Sequence, residues 1–490
     1  MDAEAFRKWG KAMVDFVADY WTNIRDRRPL HNVEPGYIWS RVPTEAPTEP
    51  ECWETIFADL ENVVMDGSTH WHHPHFFAYY PAANSYPAIM GDILSDGLGC
   101  IGFTWNSSPA CTELEMVVMD WLGKMIGLPE HFLNSHPGPG AGMIQSTASD
   151  STLVALLAAR NRRLFSMRAK IRSSFSDPHD TAAISTLVAY CSDQAHSSVE
   201  RAALLAGARM RKLRSNEDFS LTAEIVEEAM KEDIEQGLVP FFVCCTLGST
   251  SSCAFDKLPE IGPLCQSMGV WVHVDAAYAG NSFVCPEYRS LMEGIEFADS
   301  FNFNPAKWLM VNMDCSAMWF KKAFEIEQAF LVDPLYLQHE HQGIVPDYKN
   351  LQVPLGRRFR SLKLWFVLRS IGISGLQHHI RSMCALAKDF ESMVRDDDRF
   401  EVVGTVKLGL VCFRAKGSNE LNEDLLKAIN KDRRIHIVPA NLRELYILRL
   451  AICSSLTGPD DVAFAWKVIQ EIYEQVVTIQ VRENGHLHEG

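Results

Sequence analysis

Apolar residues recur at helical spacing near the N-terminus: Phe6, Trp9, Met13, Phe16, Val17, Tyr20, Trp21 and Ile24. That period predicts an amphipathic helix over residues 2–26. So much aromatic surface on a terminal helix needs a cover, and a second copy of the chain is a natural one. The stretch from Pro29 to Pro50 is rich in proline and turn residues and reads as an extended linker. From Trp71 to Pro87, aromatics and prolines crowd too closely for a long helix. The next helix is expected from Thr112 to Ile126, after Pro109-Ala110-Cys111.

Beyond residue 140 the pattern becomes helices alternating with short apolar runs. Leu187–Cys191, Pro240–Thr246, Trp271–Val274 and Ser316–Phe320 read as strands, and Ser151–Arg163 and Ser197–Ala206 as helices. This alternation predicts an α/β fold, a mostly parallel central sheet with helices on both faces. Active residues then gather at the strand ends. Ser173–Asp180, polar with a proline, reads as a surface loop. Past Pro354, helices over Arg358–Ile371 and Gly375–Asp396 lead to strands near Phe400–Val403 and Leu410–Phe413, and a last helix runs from Asp460 to Val477. Three segments are expected: an N-terminal helical and extended segment over 1–85, a large domain over 86–357, and a small C-terminal α+β domain over 358–490.

Composition narrows the function classes. A formal net charge of −16 argues against nucleic acid as a partner, because phosphate backbones are held by clustered Lys and Arg. The basic run Arg357–Lys363 is the local exception and reads as a solvated or interface-facing helix start. No apolar run approaches the roughly eighteen residues needed to span a bilayer, so no membrane partner is expected. Met1-Asp2-Ala3-Glu4-Ala5-Phe6 lacks the basic and apolar regions of a secretory signal. Thirteen cysteines form no C-x-x-C pair, which suits free thiols in a reducing compartment and points to the cytoplasm.

The candidate chemistry centres on Lys307, in Asn302-Phe303-Asn304-Pro305-Ala306-Lys307-Trp308, and on Asp275, which ends the apolar run His273-Val274-Asp275. A strand-end carboxylate with a lysine in a later turn suits pyridoxal 5'-phosphate: carboxylate against the ring nitrogen, amine to the aldehyde. The plainer roles are an N-cap for Asp275 and a surface lysine for Lys307. Gln145-Ser146-Thr147-Ala148-Ser149-Asp150, a hydroxyl-rich turn opening a helix, offers free N–H groups to a phosphate. Simple capping by Ser149 or Asp150 is the alternative. His196, between a strand and a helix, suits stacking on a flat ring, proton transfer or a structural place equally. Tyr336 lies in the long aperiodic stretch Phe330–Leu351, placed to close over a site and deliver a proton, or to pin the loop down. His70, His72, His73 and His75 have no cysteine or carboxylate at ligand spacing, so no metal is expected.

Longer stretches then carry a resemblance. They include Glu34-Pro35-Gly36-Tyr37, Gly102-Phe103-Thr104-Trp105, Ser108-Pro109-Ala110-Cys111-Thr112-Glu113-Leu114-Glu115 and Ser192-Asp193-Gln194-Ala195-His196-Ser197-Ser198-Val199-Glu200. Val274-Asp275-Ala276-Ala277-Tyr278-Ala279-Gly280 and Pro354-Leu355-Gly356-Arg357-Arg358-Phe359-Arg360-Ser361 continue it. Over nearly its whole length the chain resembles the group II pyridoxal-phosphate decarboxylases, and among them the animal enzymes of aromatic amino acids. The resemblance implies a fold-type I homodimer with its N-terminal segment across the subunit interface and the cofactor in the large domain. It implies that Lys307 holds the cofactor aldehyde, Asp275 the ring nitrogen and His196 the ring face. Ala148, Ser149 and Asn304 would hold the phosphate, with Thr250 and Ala277 nearby. Trp71, Tyr79, Tyr80, Pro81, Ala82, Ile101, Phe103, His196 and Gly356 would line the substrate pocket. Tyr336 would return a proton to the carbon that loses carbon dioxide.

The implied activity is decarboxylation of an aromatic L-amino acid, such as dopa, 5-hydroxytryptophan or tyrosine, to its amine. Ala306 stands where the family usually has His or Ser, removing a possible phosphate contact. Gly356, Asn302 and Met318-Trp319 resemble the aromatic-specific enzymes, whereas Tyr80 and Ala82 resemble the histidine decarboxylases. Relatives that make aldehydes replace the ring-stacking histidine or the loop tyrosine, and here both are intact. Histidine decarboxylation, aldehyde synthesis and a catalytically silent homologue are the alternatives.

Overall fold

The computed structural model describes residues 1–171 and 181–486, so the loop expected over Ser173–Asp180 lies outside the described residues. The chain forms two compact units. Unit 1 comprises Met1–Pro81, Ala385–Val403 and Gly409–Gly490; unit 2 comprises Ala82–Cys384 and Gly404–Leu408.

Unit 2 holds a seven-stranded sheet: β1 (Ala141–Gln145), β2 (Leu187–Ser192), β3 (Arg209–Leu213), β4 (Val239–Thr246), β5 (Trp271–Asp275), β6 (Ser300–Phe303) and β7 (Ser316–Phe320), in the order β1-β7-β6-β5-β4-β2-β3. Strands β3, β2, β4, β5 and β6 run parallel, and β7 lies antiparallel between β6 and β1. The expected mostly parallel sheet is thus present. Its middle strands are buried along their length, which is why they read as continuous apolar runs rather than alternating ones. Helix Ala148–Ile171 covers the sheet with Val154, Ala155, Leu156, Ala158 and Ala159, all buried against Met143, Phe241, Trp271 and Met318. Its alanines let the helix lie close, and each fully buried Val or Leu contributes about 1.5–3 kcal/mol.

Unit 1 holds a four-stranded antiparallel sheet, β8 (Phe400–Val402), β9 (Leu410–Ala415), β10 (Val438–Leu442) and β11 (Leu445–Ala451), in the order β10-β11-β9-β8. The N-terminal helix Ala3–Thr22 belongs to it, with Trp9 and Phe16 packed on Phe57. The four clustered histidines are occupied by packing. His75 pairs with Asp461 at 3.0 Å, His70 meets the Tyr20 hydroxyl at 3.1 Å, His72 stacks on Trp21, and His73 lies edge-on to His75.

The chain passes from unit 1 to unit 2 at Pro81/Ala82, and residues 358–384 belong to unit 2. Side chains explain this: Phe359 and Leu362 cluster with Cys111 of helix Pro109–Ile126 and with Phe366. The two helices expected over 358–396 follow one another directly within Ser361–Arg395, meeting at a kink at Gly372, whose φ of 69° breaks the helical path.

Candidate active site

Parallel register brings the two principal candidates together. Strands β5 and β6 pair Asp275 with Asn302. Past their ends Ala276 N–H donates to Asn302 O at 2.9 Å and Asn304 N–H to Ala277 O at 3.0 Å. The turn after the aspartate and the turn before the lysine are therefore stitched to each other. Lys307 follows in the short helix Pro305–Trp308, its N–H donating to Asn304 O at 2.9 Å. Trp308 anchors that helix by stacking on Tyr278 at 4.5 Å, and its indole N–H donates to Tyr278 O at 2.7 Å. Asp275 is buried, and one carboxylate oxygen accepts the Ala277 N–H at 2.9 Å. It thus closes its own turn, with a second oxygen available to the cavity.

That cavity, about 150 Å³, is lined by Asp275, Lys307, His196, Ala148, Ser149, Thr250, Ala277 and Asn304. All eight cofactor residues expected from the resemblance thus border one hollow. Thr147, Ser198, Thr246, Gly248 and Tyr278 line it as well and carry no role in the sequence reading. Thr147 has a local signal, being in the hydroxyl-rich turn; Thr246 and Gly248 have a topological one, lying at the end of the strand beside β5.

Capping at this turn falls to Thr147, not to Ser149 or Asp150. Thr147 Oγ1 accepts the Asp150 N–H at 3.2 Å and donates to the Asp150 carboxylate at 3.0 Å. The helix begins at Ala148, so the N–H groups of Ala148 and Ser149 have no partner within it and lie at the positive end of the helix dipole. His196 caps its own helix, Ser197–Leu205, its Nδ1 accepting the Ser198 N–H at 3.2 Å. Burial holds the imidazole below its usual pKa; the charges of Lys307 and Arg201 act the same way and Asp275 opposes them. A neutral ring with one nitrogen committed to the backbone is suited to stacking.

The remaining candidates lie elsewhere. In unit 2, Ile101 is exposed, and a Cβ at Gly356 would meet its Cγ2 at 3.5 Å. Gly102 N–H donates to Arg357 O at 3.1 Å and Lys349 N–H to Phe103 O at 3.0 Å, so Ile101, Phe103 and Gly356 form one strip. Ala82 begins unit 2. In unit 1, Trp71 stacks on Tyr79 at 5.2 Å, Tyr80 lies under the Arg449 guanidinium at 5.2 Å, and Pro81 closes the segment. Tyr336 is 79% exposed and borders a different hollow, of about 250 Å³, with Phe330, Leu337 and Lys349. Its loop is held in that position by His339 pairing with Asp347 at 2.9 Å. Ala306 is buried but does not line the Lys307 cavity.

Residues 35–416 match the family described as the pyridoxal-dependent decarboxylase conserved domain. The aromatic-L-amino-acid decarboxylase of Bos taurus is 53% identical over 489 residues, covering 99% of this chain and 100% of that one. Among solved structures, Oryza sativa TDC with PLP and tryptamine superposes with a TM-score of 0.92 at 36% identity, covering 97% of this chain and 99% of the other. Rhodiola rosea 4-hydroxyphenylacetaldehyde synthase does so at 0.89 and 35%, with the same coverage.

The cavity's donor set fits pyridoxal phosphate. It offers a carboxylate, an amine, a flat imidazole and the N–H groups of a helix start. Thr246 Oγ1 and Asn304 Oδ1 are buried there with no hydrogen-bond partner among the described residues, as expected of groups that a polar ligand satisfies.

Proposed function

Since this chain belongs to the pyridoxal-dependent decarboxylase family, we propose that it removes the α-carboxyl group of an aromatic L-amino acid as carbon dioxide and releases the amine. The observation that carries this reading is the pairing of strand ends that sets Asp275 and Lys307 on one cavity with His196.

Bound pyridoxal phosphate supplies the electron sink for the bond that breaks. Lys307 Nζ, half-buried beside the cavity, provides the amine that holds the cofactor and yields to the substrate's own amino group. Asp275, lining the cavity with one oxygen committed to the Ala277 N–H, would pair with the ring nitrogen and hold a proton on it, which would raise the electron demand of the ring. The Ala148 and Ser149 N–H groups, with Thr250 and Asn304, hold the phosphate at the helix start. His196, lining the same cavity, would cover one ring face and limit water there. Ile101, Phe103 and Gly356 take the aromatic side chain, the glycine leaving room that a serine would fill. Tyr336, on its loop, donates its hydroxyl proton to the carbon that has lost the carboxylate.

The chain acts as a homodimer in this reading. Helix Tyr86–Leu98 supports it, with Tyr86, Met90, Ile93, Leu94 and Leu98 all exposed along one short helix. Cytoplasmic residence is supported by thirteen cysteines, all of them thiols and none joined in a disulfide. No helix among the described residues is long and apolar enough to cross a membrane.

The test is product analysis by mass spectrometry with dopa, 5-hydroxytryptophan, tyrosine, tryptophan and histidine, with peroxide measured alongside. Amine from an aromatic substrate without peroxide supports the reading. Aldehyde with stoichiometric peroxide, amine from histidine alone, or no turnover at all would replace it.

A further inference from the structure

Unit 2 carries a second polar hollow at the opposite edge of its sheet from Asp275 and Lys307. Phe241 lies near the start of β4, Val270 precedes β5, Asp299 precedes β6, and Lys321 and Lys322 follow β7, which runs antiparallel. Arg162, Arg163 and Ser166 of helix Ala148–Ile171 close the other side of a cavity of about 370 Å³, with Phe297 and Gly269 in its wall.

The charges of this hollow do not balance. Arg162 is held by its neighbours: it reaches both Asp299 oxygens at 2.7 and 3.4 Å and Glu325 at 3.3 Å, and it lies over Trp271 at 4.4 Å. Glu325 is shared with Lys322 at 3.7 Å, and Lys321 Nζ donates to the Glu296 carbonyl at 2.8 Å. Arg163 has no carboxylate partner among the described residues, and its Nε is buried without a hydrogen bond. Burial lowers its pKa, and the neighbouring Arg162 charge adds to that. Four cationic side chains thus face two carboxylates, an excess of two positive charges in a chain whose net charge is −16. A guanidinium without a carboxylate partner, lining an open cavity beside two lysines, is placed to take an anion.

We propose that this hollow binds a phosphate monoester. A dianionic phosphate matches the excess charge, and Arg163 offers the planar fork that such oxygens accept best. Lys321 supplies a second contact. The ester's organic body lies against Phe241, Val270 and Phe297, which is why the cavity is larger than a phosphate ion requires. Gly269 forms part of the wall as the left-handed end of helix Leu258–Met268, with a φ of 64°. The site lies at the far edge of the sheet from the cofactor cavity and shares no lining residue with it.

The test uses the holoenzyme, whose catalytic phosphate cradle is filled by its cofactor, titrated calorimetrically with phenyl phosphate and with inorganic phosphate. The expected result is one saturable site per chain, with phenyl phosphate at least threefold tighter than inorganic phosphate. Arg163→Gln and, separately, Lys321→Gln should each weaken phenyl phosphate tenfold or more and leave decarboxylation unchanged. Arg209→Gln, on an exposed strand position, serves as the charge control and should change nothing. Phenyl phosphate should also raise the thermal midpoint of the wild type but not of Arg163→Gln. Absence of saturable binding, equal affinity for the two ligands, or equal losses in Arg209→Gln and Arg163→Gln would overturn the proposal. An Arg163→Gln protein that fails to fold would leave the decision to Lys321→Gln, whose unchanged affinity would overturn it too.

Discussion

Arg357 Nη2 reaches both carboxylate oxygens of Glu115, at 2.6 and 2.8 Å, and neither side chain is more than 3% exposed. The pair does more than neutralise itself. Glu115 also accepts the Ile144 N–H at 2.7 Å and Arg357 donates to Ile144 O at 3.0 Å, so the pair holds one edge of β1 while β7 holds the other. Arg360 continues the network, with 2.9 Å to Ser146 Oγ and 2.8 Å to Asp314. The turn that leads into the helix at Ala148 is thereby set by groups more than two hundred residues away.

Breaking the pair leaves an uncompensated buried charge. Glu115→Ala is expected to destabilise the fold by about 3–5 kcal/mol, and Glu115→Leu with Arg357→Met by distinctly less. Denaturant unfolding of the single and double variants checks this; equal losses in both would show that packing, not the stranded charge, dominates.

His273 sets a pH dependence. The residue is fully buried; its Nδ1 lies 2.8 Å from Ser300 Oγ, and its Nε2 is buried without a hydrogen bond. Burial lowers its pKa from 6.5 to about 4. The folded state therefore holds the ring neutral where the unfolded chain would protonate it. Its stabilising contribution is complete above pH 6.5 and is lost as the pH falls towards 4. The slope is about 1.4 kcal/mol per pH unit, so the total is about 3 kcal/mol. Unfolding free energies at a pH of about 7.5 and of about 5 should differ less in His273→Gln than in the wild type.

Tyr336→Phe removes the proposed proton donor while keeping the aromatic ring. The expected outcome is a fall in amine formation of about a hundredfold or more with cofactor content unchanged. Carbon dioxide and amine release are measured separately in the same reaction. A variant with unaltered amine output would assign protonation to another group, and the exposed position of Tyr336 makes this a demanding test of loop closure.

Ala306→Ser restores a hydroxyl next to Lys307. Because the Ala306 side chain does not border the cavity, the gain in cofactor affinity is expected to be less than tenfold. A contact that did reach the phosphate would contribute about 1.5–3 kcal/mol, ten- to a hundredfold or more. Equilibrium titration of the apoprotein with cofactor distinguishes the two.

Much of this is legible in the chain. The apolar runs of β2, β4, β5 and β7 stand out because both of their faces are covered, and Asp275 is conspicuous as a charge ending such a run. Strand β3, Arg-Met-Arg-Lys-Leu, is hidden in the pattern because it lies at the sheet edge and keeps charged side chains in solvent. Strand β6 is four residues with an asparagine inside; only its neighbours reveal it, by pairing. The Thr147 cap and the buried anchors Trp308 and Tyr278 depend on contacts that no local spacing encodes. Tyr336 is recognisable as a loop residue, but where its loop rests is decided by His339 and Asp347.

The most direct measurement of the central claim is reductive trapping of the holoenzyme with borohydride, followed by proteolysis and peptide mass spectrometry. The expected result is the cofactor's mass fixed on the peptide that contains Lys307, and its disappearance in Lys307→Ala together with turnover. Cofactor fixed to another lysine, or a Lys307→Ala protein that decarboxylates at the wild-type rate, would contradict the assignment.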